Sequence, residues 1–397
     1  MPILSFVRRL RLLRLQWLTL GLMHLLFAAA SEHGMFARSV CAVCSSGKHL
    51  AQDLEDFMVG QKVSVTRGGL VLVLLASLLG VVPGTFAKAA EQQVLKVALA
   101  IPRTQEIAIE VKKYNDKLAA MTNNAVSVRV YWGGAAGDDT DVLRKMKTGQ
   151  MDAAPLSVEL CSQFVRQALV LVSPALFTNY KQLDAVRAAL TPAMNKEAYD
   201  NGFKIMAWGD VGRLRLMSKQ PISSLSDFKK ARPWLYPQSE ALKEFYKQVG
   251  ATGVPLGLME VYGALQTNMI DVVWISAVMG AALQWHTGTH FITEQGMGFI
   301  TGAFAVRRGA WDALPQNVRD SMTQLAEEQG QKNQLQIRKE DERSYRKLIE
   351  RGHKPVKLTN LNEWVKVGEA VRERQIGRVY TKELVVKAEQ IAKQYAD

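Results

Sequence analysis

The sequence predicts an α/β protein of two lobes. Residues 94–158 read as strand, helix, strand, helix, strand, and residues 226–276 repeat that order, which implies sheets flanked by helices. The chain has 397 residues, 48% hydrophobic and 22% charged, enough for two lobes that each bury a core.

Ahead of the first strand the pattern is one of export. Apolar runs at 15–30 and 69–82 are both short for a membrane span. The second follows Met58, Lys62 and Arg67 and leads through Pro83-Gly84 to Ala87-Lys88-Ala89, with small residues at the −3 and −1 positions. Residues 58–89 are thus expected to be a signal peptide cut after Ala89, and the globular part to be periplasmic. Residues 1–57 read as an upstream extension, most simply a start assigned too early, with Met58 the initiator. Cys41 and Cys44 would leave with it, and Cys161 would stand alone in the mature chain, without a disulfide framework.

The first lobe is expected over 90–212, with part of 300–350. Val94 opens an alternating strand, and apolar residues at Ile107, Ile109, Val111, Leu118 and Met121 mark a helix that Asn123-Asn124 ends. A second strand over 126–132 runs into Gly133-Gly134. Asp138, Asp139 and Asp141 then sit at the start of a helix, where acids oppose the positive dipole end, and Gly149 closes it. Residues 151–158 form the third strand, so this lobe is mostly parallel, with ligand positions near the carboxyl ends of its strands.

Helical and loop material follows to Asn201, then strands over 202–209 and 213–219. In the latter, alternation puts Arg213 and Arg215 on one face, either a solvated face or ligand contacts. The second lobe is expected over 213–299, with the C-terminal segments to 397. Ser226 reads as a helix cap, and Trp234 and Tyr236 share one face of a strand. Gly250 and Asn268 end the next two helices, and residues 270–277 form a buried strand. Residues 297–308 read as a long strand crossing back between lobes. Leu314-Pro315 starts a long charged helix, and a short strand and terminal helices finish the chain.

The sequence holds no HExxH, GxSxG or phosphate-cradling loop, and no nucleophile with an identifiable base. His286 and His290 lack an acid at ligand spacing, so no metal and no cofactor are expected. After Ala89 there are 41 Lys and Arg against 33 Asp and Glu, a mild excess of +8 without basic blocks interleaved with aromatics, which argues against nucleic acid. The chain reads as a binder, not an enzyme.

At this point a family likeness is carried by YWGGAAGDDTDVLRKMKTGQMDAA, by SPALF and its following helix, by WGDVGRLRLMSKQPISSLSDFKK, by VGATGVPLGLMEVYGALQTNMIDVV and by GAFAVRRGAWDALPQNVRDSM. Over residues 94–397 the sequence resembles the DctP-like solute-binding subunits of tripartite ATP-independent periplasmic (TRAP) transporters. The resemblance implies a periplasmic-binding-protein-like fold with hinge strands and a long helix, a small organic acid enclosed by lobe closure, and delivery to membrane permease subunits. The protein would be a monomer or a homodimer. An ABC-importer binding protein and a secreted enzyme with a cleft site are the rival readings.

One departure bears on the ligand. The family places a carboxylate-binding arginine on the strand after the SDFKK aspartate; counting from Asp227, this chain has Trp234 there, and Arg232 two residues earlier. Where relatives carry Asn-Pro after the following strand, this chain has Trp274, Ile275 and Ser276. The expected ligand set is therefore Trp234 and Tyr236 as an apolar wall, Trp274 and Ser276 opposite, Arg213 or Arg215 as ionic partner, and Thr104 from the first lobe.

Overall fold

A computed structural model describes residues 92–396; the expected signal peptide, the upstream extension and the Cys41-Cys44 pair lie outside the described residues. In lobe I, β1 (Gln93–Ala98) pairs in parallel with β2 (Val126–Tyr131) and β3 (Ala153–Ser157). The crossovers carry α1 (Gln105–Met121) and α2 (Asp139–Lys147), as parallel neighbours require. Two antiparallel strands complete the five-stranded sheet, β10 (Phe299–Arg307) beside β3 and β4 (Phe203–Arg213) at the edge. Only glycine fits at Gly302, because a Cβ there would collide with the Leu156 carbonyl oxygen.

In lobe II the order is β11 (Lys354–Val356), β9 (Phe291–Thr293), β5 (Arg215–Ser218), β8 (Val272–Ile275). A bridge from Pro233 to Val272 extends it to β6 (Trp234–Leu235), which pairs in parallel with β7 (Val254–Pro255). The chain passes between lobes at Leu214, between β4 and β5, and returns just before β10; Leu214 closes that crossing by donating its N–H to the Gly298 carbonyl at 3.0 Å and accepting from the Met297 N–H at 2.8 Å. Arg213 and Arg215 therefore belong to different strands. A 35-residue helix, α10 (Gln316–Glu350), spans both lobes over roughly 50 Å. Val318, Met322 and Leu325 pack it on lobe I; Leu348 packs it on lobe II.

The period-2 pattern of β8 divides the core of lobe II. Val273 and Ile275 face an inner cluster with Trp234, Tyr236 and Trp285, against which Ile101 of lobe I packs. Val272 and Trp274 face an outer cluster with Phe228, Phe245, Tyr246 and Trp364. Trp364 belongs to α11 (Leu361–Gln375), so this C-terminal segment joins lobe II. The last helix, α12 (Lys382–Lys393), does not. Val385, Ala388 and Ala392 pack into the lobe I core, because an apolar stripe goes where a complementary face is open, here beside α4 (Tyr180–Asp200).

A second correction is local. The cap of α5 (Leu225–Lys230) is Ser224, not Ser226. Its side chain accepts from the Asp227 N–H at 3.2 Å, and the Asp227 carboxylate accepts from the Ser224 N–H at 3.0 Å, a reciprocal capping box. Replacing Ser224 by Ala is expected to lower stability by about 1 kcal/mol, read as a shifted urea midpoint with unchanged slope.

Candidate interlobe binding site

Residues that follow β2 of lobe I and residues that follow β6 and β7 of lobe II meet at one seam between the lobes. On the lobe I side Asp138 is the N-cap residue of α2, yet it makes no capping bond. Its carboxylate abuts Gly257 of lobe II, where any side chain would collide with it, and its Oδ1 is buried without a hydrogen-bond partner. Asp139 accepts from its neighbour Thr140 N–H through Oδ1 at 2.8 Å and from the Tyr236 hydroxyl through Oδ2. That last bond joins the lobes across 97 positions of sequence. Asp141 turns away and pairs with Arg144 at 2.8 Å. Met259 of lobe II lies against Gly134 of lobe I.

On the lobe II side the wall is aromatic. Trp234 is buried, donates through Nε1 to the Leu256 carbonyl at 2.9 Å, and packs edge-on against Trp285 with centroids 5.1 Å apart. Tyr236 lies tilted against it at 5.7 Å. Tyr246 donates to the Trp234 carbonyl at 2.5 Å, holding the strand that carries both rings.

The electrostatics of the seam follow from burial and like charge. Burial raises Asp139 from the ordinary carboxylate range to about 6, and the neighbouring Asp138 charge raises it further against the lowering effect of the Tyr236 bond. Burial also raises Glu159, just after β3, with the Asp139 charge adding and the Ser157 hydroxyl opposing. Tyr236 is raised for the same reasons, burial first and then Asp139, so its hydroxyl keeps its proton and donates. Among the described residues no Lys or Arg is paired with Asp138, Asp139 or Glu159. Beside Glu159 a cavity of about 10 Å³ reaches Ser239 and Glu240 of lobe II, room for roughly one water.

The arginines lie elsewhere. Arg215 is buried and bonds Asp341 at 3.1 Å and Glu342 at 3.0 Å, with its guanidinium over the Tyr345 ring. Arg213 stands 3.7 Å from Glu342 and stacks over Tyr180 and Phe299; it lines an open groove of about 460 Å³ with Tyr180, Arg338, Lys339, Glu342 and Arg346. Arg232 is held by Asp271 at 3.1 Å. Trp274 is in the outer core, and Ser276 is fully buried as the cap of α8 (Ala277–Ala282). Thr104 is exposed immediately before α1. Of the expected set, the structure brings only Trp234 and Tyr236 to the seam. Asp138, Asp139, Glu159 and Trp285 were not among the expected residues. The available signal was the pair Asp138-Asp139 ahead of a helix that needs only one cap.

Residues 98–376 match the family model for bacterial extracellular solute-binding protein, family 7. The chain belongs to this family. It is a DctP-type solute-binding subunit of the TRAP class. The C4-dicarboxylate-binding periplasmic protein DctP of Vibrio cholerae is 24% identical over 245 residues, 61% of this chain and 71% of that one. The ectoine/5-hydroxyectoine-binding periplasmic protein UehA of Ruegeria pomeroyi is 22% identical over 57% of this chain and 67% of its own length. Among solved structures, a TRAP periplasmic solute-binding protein from Sulfurospirillum deleyianum with bound succinate superposes with a TM-score of 0.70 at 19% identity, covering 76% of this chain and 99% of that one. The sugar acid binding protein DctPAm from Advenella mimigardefordensis, in complex with galactonate, gives 0.70 at 16%, covering 77% and 99%. The two-lobe fold is thus that of this family. Among the described residues no helix of this family-7 protein is long and apolar enough to cross a membrane.

Proposed function

We propose that this protein is exported to the periplasm by the 58–89 signal peptide, captures a small organic acid between its lobes and delivers it to the permease subunits of a TRAP-type secondary transporter. The observation that carries this reading is the seam itself. Strand ends of both lobes meet there, and side chains of each bond or abut the other across it: Tyr236 with Asp139, and Asp138 with Gly257. Such contacts form only when the lobes close, so a ligand that fills the seam selects the closed form, and the closed form is the shape a permease reads. The family and the acid-bound neighbours support the acid. The role is capture and delivery, with no reaction on the ligand.

A thermal-shift screen against mono-, di-, keto- and sugar acids tests it. A ligand at about 100 times its Kd is expected to add about 2.7 kcal/mol of stability. A full panel of acids without a hit would remove the organic-acid reading.

A further inference from the structure

The charged side chains around the lobe crossing pair off and leave a remainder. Arg338 spends its guanidinium on Asp184 at 2.5 and 2.8 Å and on Asp210 at 2.6 Å, while Arg187 bonds Asp210 at 2.5 Å, so two arginines meet two aspartates. Arg215 meets Asp341 at 3.1 Å. What is left is Glu342 against Arg213, Lys339 and Arg346, and these four line the open groove of about 460 Å³.

The one carboxylate among them is already engaged. Glu342 lies three positions after Lys339 and four before Arg346, spacings that bring side chains together on one helix face and ordinarily pair opposite charges. Its Oε1 instead accepts from the buried Arg215 at 3.0 Å and stands 3.7 Å from Arg213. Lys339 and Arg346 are left without an ionic partner among the described residues. Arg213 is steadied from another side, with its guanidinium over the rings of Tyr180 and Phe299, and Arg338 lies over the same Tyr180 ring at 4.0 Å. Tyr180 is the first residue of α4, which places the positive end of that helix beside the groove. No residue of the groove belongs to the seam between the lobes.

We infer that this groove is a second binding site, separate from the interlobe seam, for a small multivalent oxyanion of the phosphate type, held by Arg213, Lys339 and Arg346 between the end of β4 and the long helix α10. Guanidinium forks match the oxygen pairs of phosphate, and the volume falls in the range of small-molecule sites.

Titration calorimetry of the full mature protein with inorganic pyrophosphate at low salt reads the site. The wild type is expected to bind, and Lys339→Ala/Arg346→Ala to bind at least about tenfold more weakly. Both side chains are exposed and unpaired, so this double variant keeps the fold, as circular dichroism checks. Lys347→Ala/Arg351→Ala removes the same two charges at the end of α10 but outside the groove, and is expected to bind like the wild type. Co-sedimentation with phosphatidylglycerol vesicles separates the sources of phosphate: pyrophosphate binding assigns a free anion, whereas vesicle binding alone, lost only in the groove variant, assigns a lipid headgroup. Equal weakening in both double variants would reduce the effect to the protein's general positive charge and overturn the site, as would no binding of either probe. Either result leaves the organic-acid function standing, because the seam is untouched.

Discussion

Replacing Asp341 by Ala is expected to destabilise the protein by about 3–5 kcal/mol. Asp341 is 1% exposed and sits on α10 where the chain passes between lobes. Its Oδ2 accepts from the Arg213 N–H at 3.0 Å and from Arg215 Nη1 at 3.1 Å, and its Oδ1 accepts from the Val278 N–H at 3.1 Å in the first turn of α8. One carboxylate thus ties the crossing strands, the long helix and a helix N-terminus together. Gly212 makes room for it, since a Cβ there would meet the Asp341 carboxyl and Ser276. Its loss strands two backbone donors and leaves the buried Arg215 guanidinium with only the half-exposed Glu342. Urea unfolding monitored by circular dichroism checks this. A loss below about 1 kcal/mol would mean the hinge is held by packing instead.

The folded protein is expected to lose stability as pH rises from about 4 to 6. Asp139 is raised in the folded protein from the ordinary carboxylate range to about 6, so the folded state favours its neutral form. Below both values the group is protonated in either state and exerts no effect. As pH climbs through the window the unfolded form ionises first, and folding loses about 3 kcal/mol by the time Asp139 ionises in both. Glu159, also raised, acts in the same direction. Denaturant titrations at pH 4.5 and 7 are expected to show a drop in the wild type that Asp139→Asn largely abolishes. A stability rising over that window, equally in both proteins, would show that Asp139 does not carry this penalty.

Much of the frame was legible in the chain. The βαβαβ order of lobe I, Gly149 and Gly250 at helix ends with positive φ, and the start of α10 after Pro315 all follow from local chemistry acting within a turn or two. The shared face of Trp234 and Tyr236 was legible because alternation in a strand is a local property. What alternation does not carry is what that face looks at. Trp274 sits on β8 with the same aromatic promise, but its face meets Phe228, Phe245 and Trp364. Arg213 and Arg215 alternate as a ligand pair would, and yet both turn to Glu342 of a helix more than a hundred positions later.

By itself the sequence determined the family and the order of elements. Only the tertiary structure decided which charges meet. Asp139 and Tyr236 are 97 positions apart, and Arg215 and Asp341 are 126 apart. Pairings at such separations depend on how two sheets close on each other, a packing outcome that no local periodicity encodes. That packing is also why Asp138 and Asp139, which read as ordinary acids at a helix start, come to meet Gly257 and Tyr236 of lobe II.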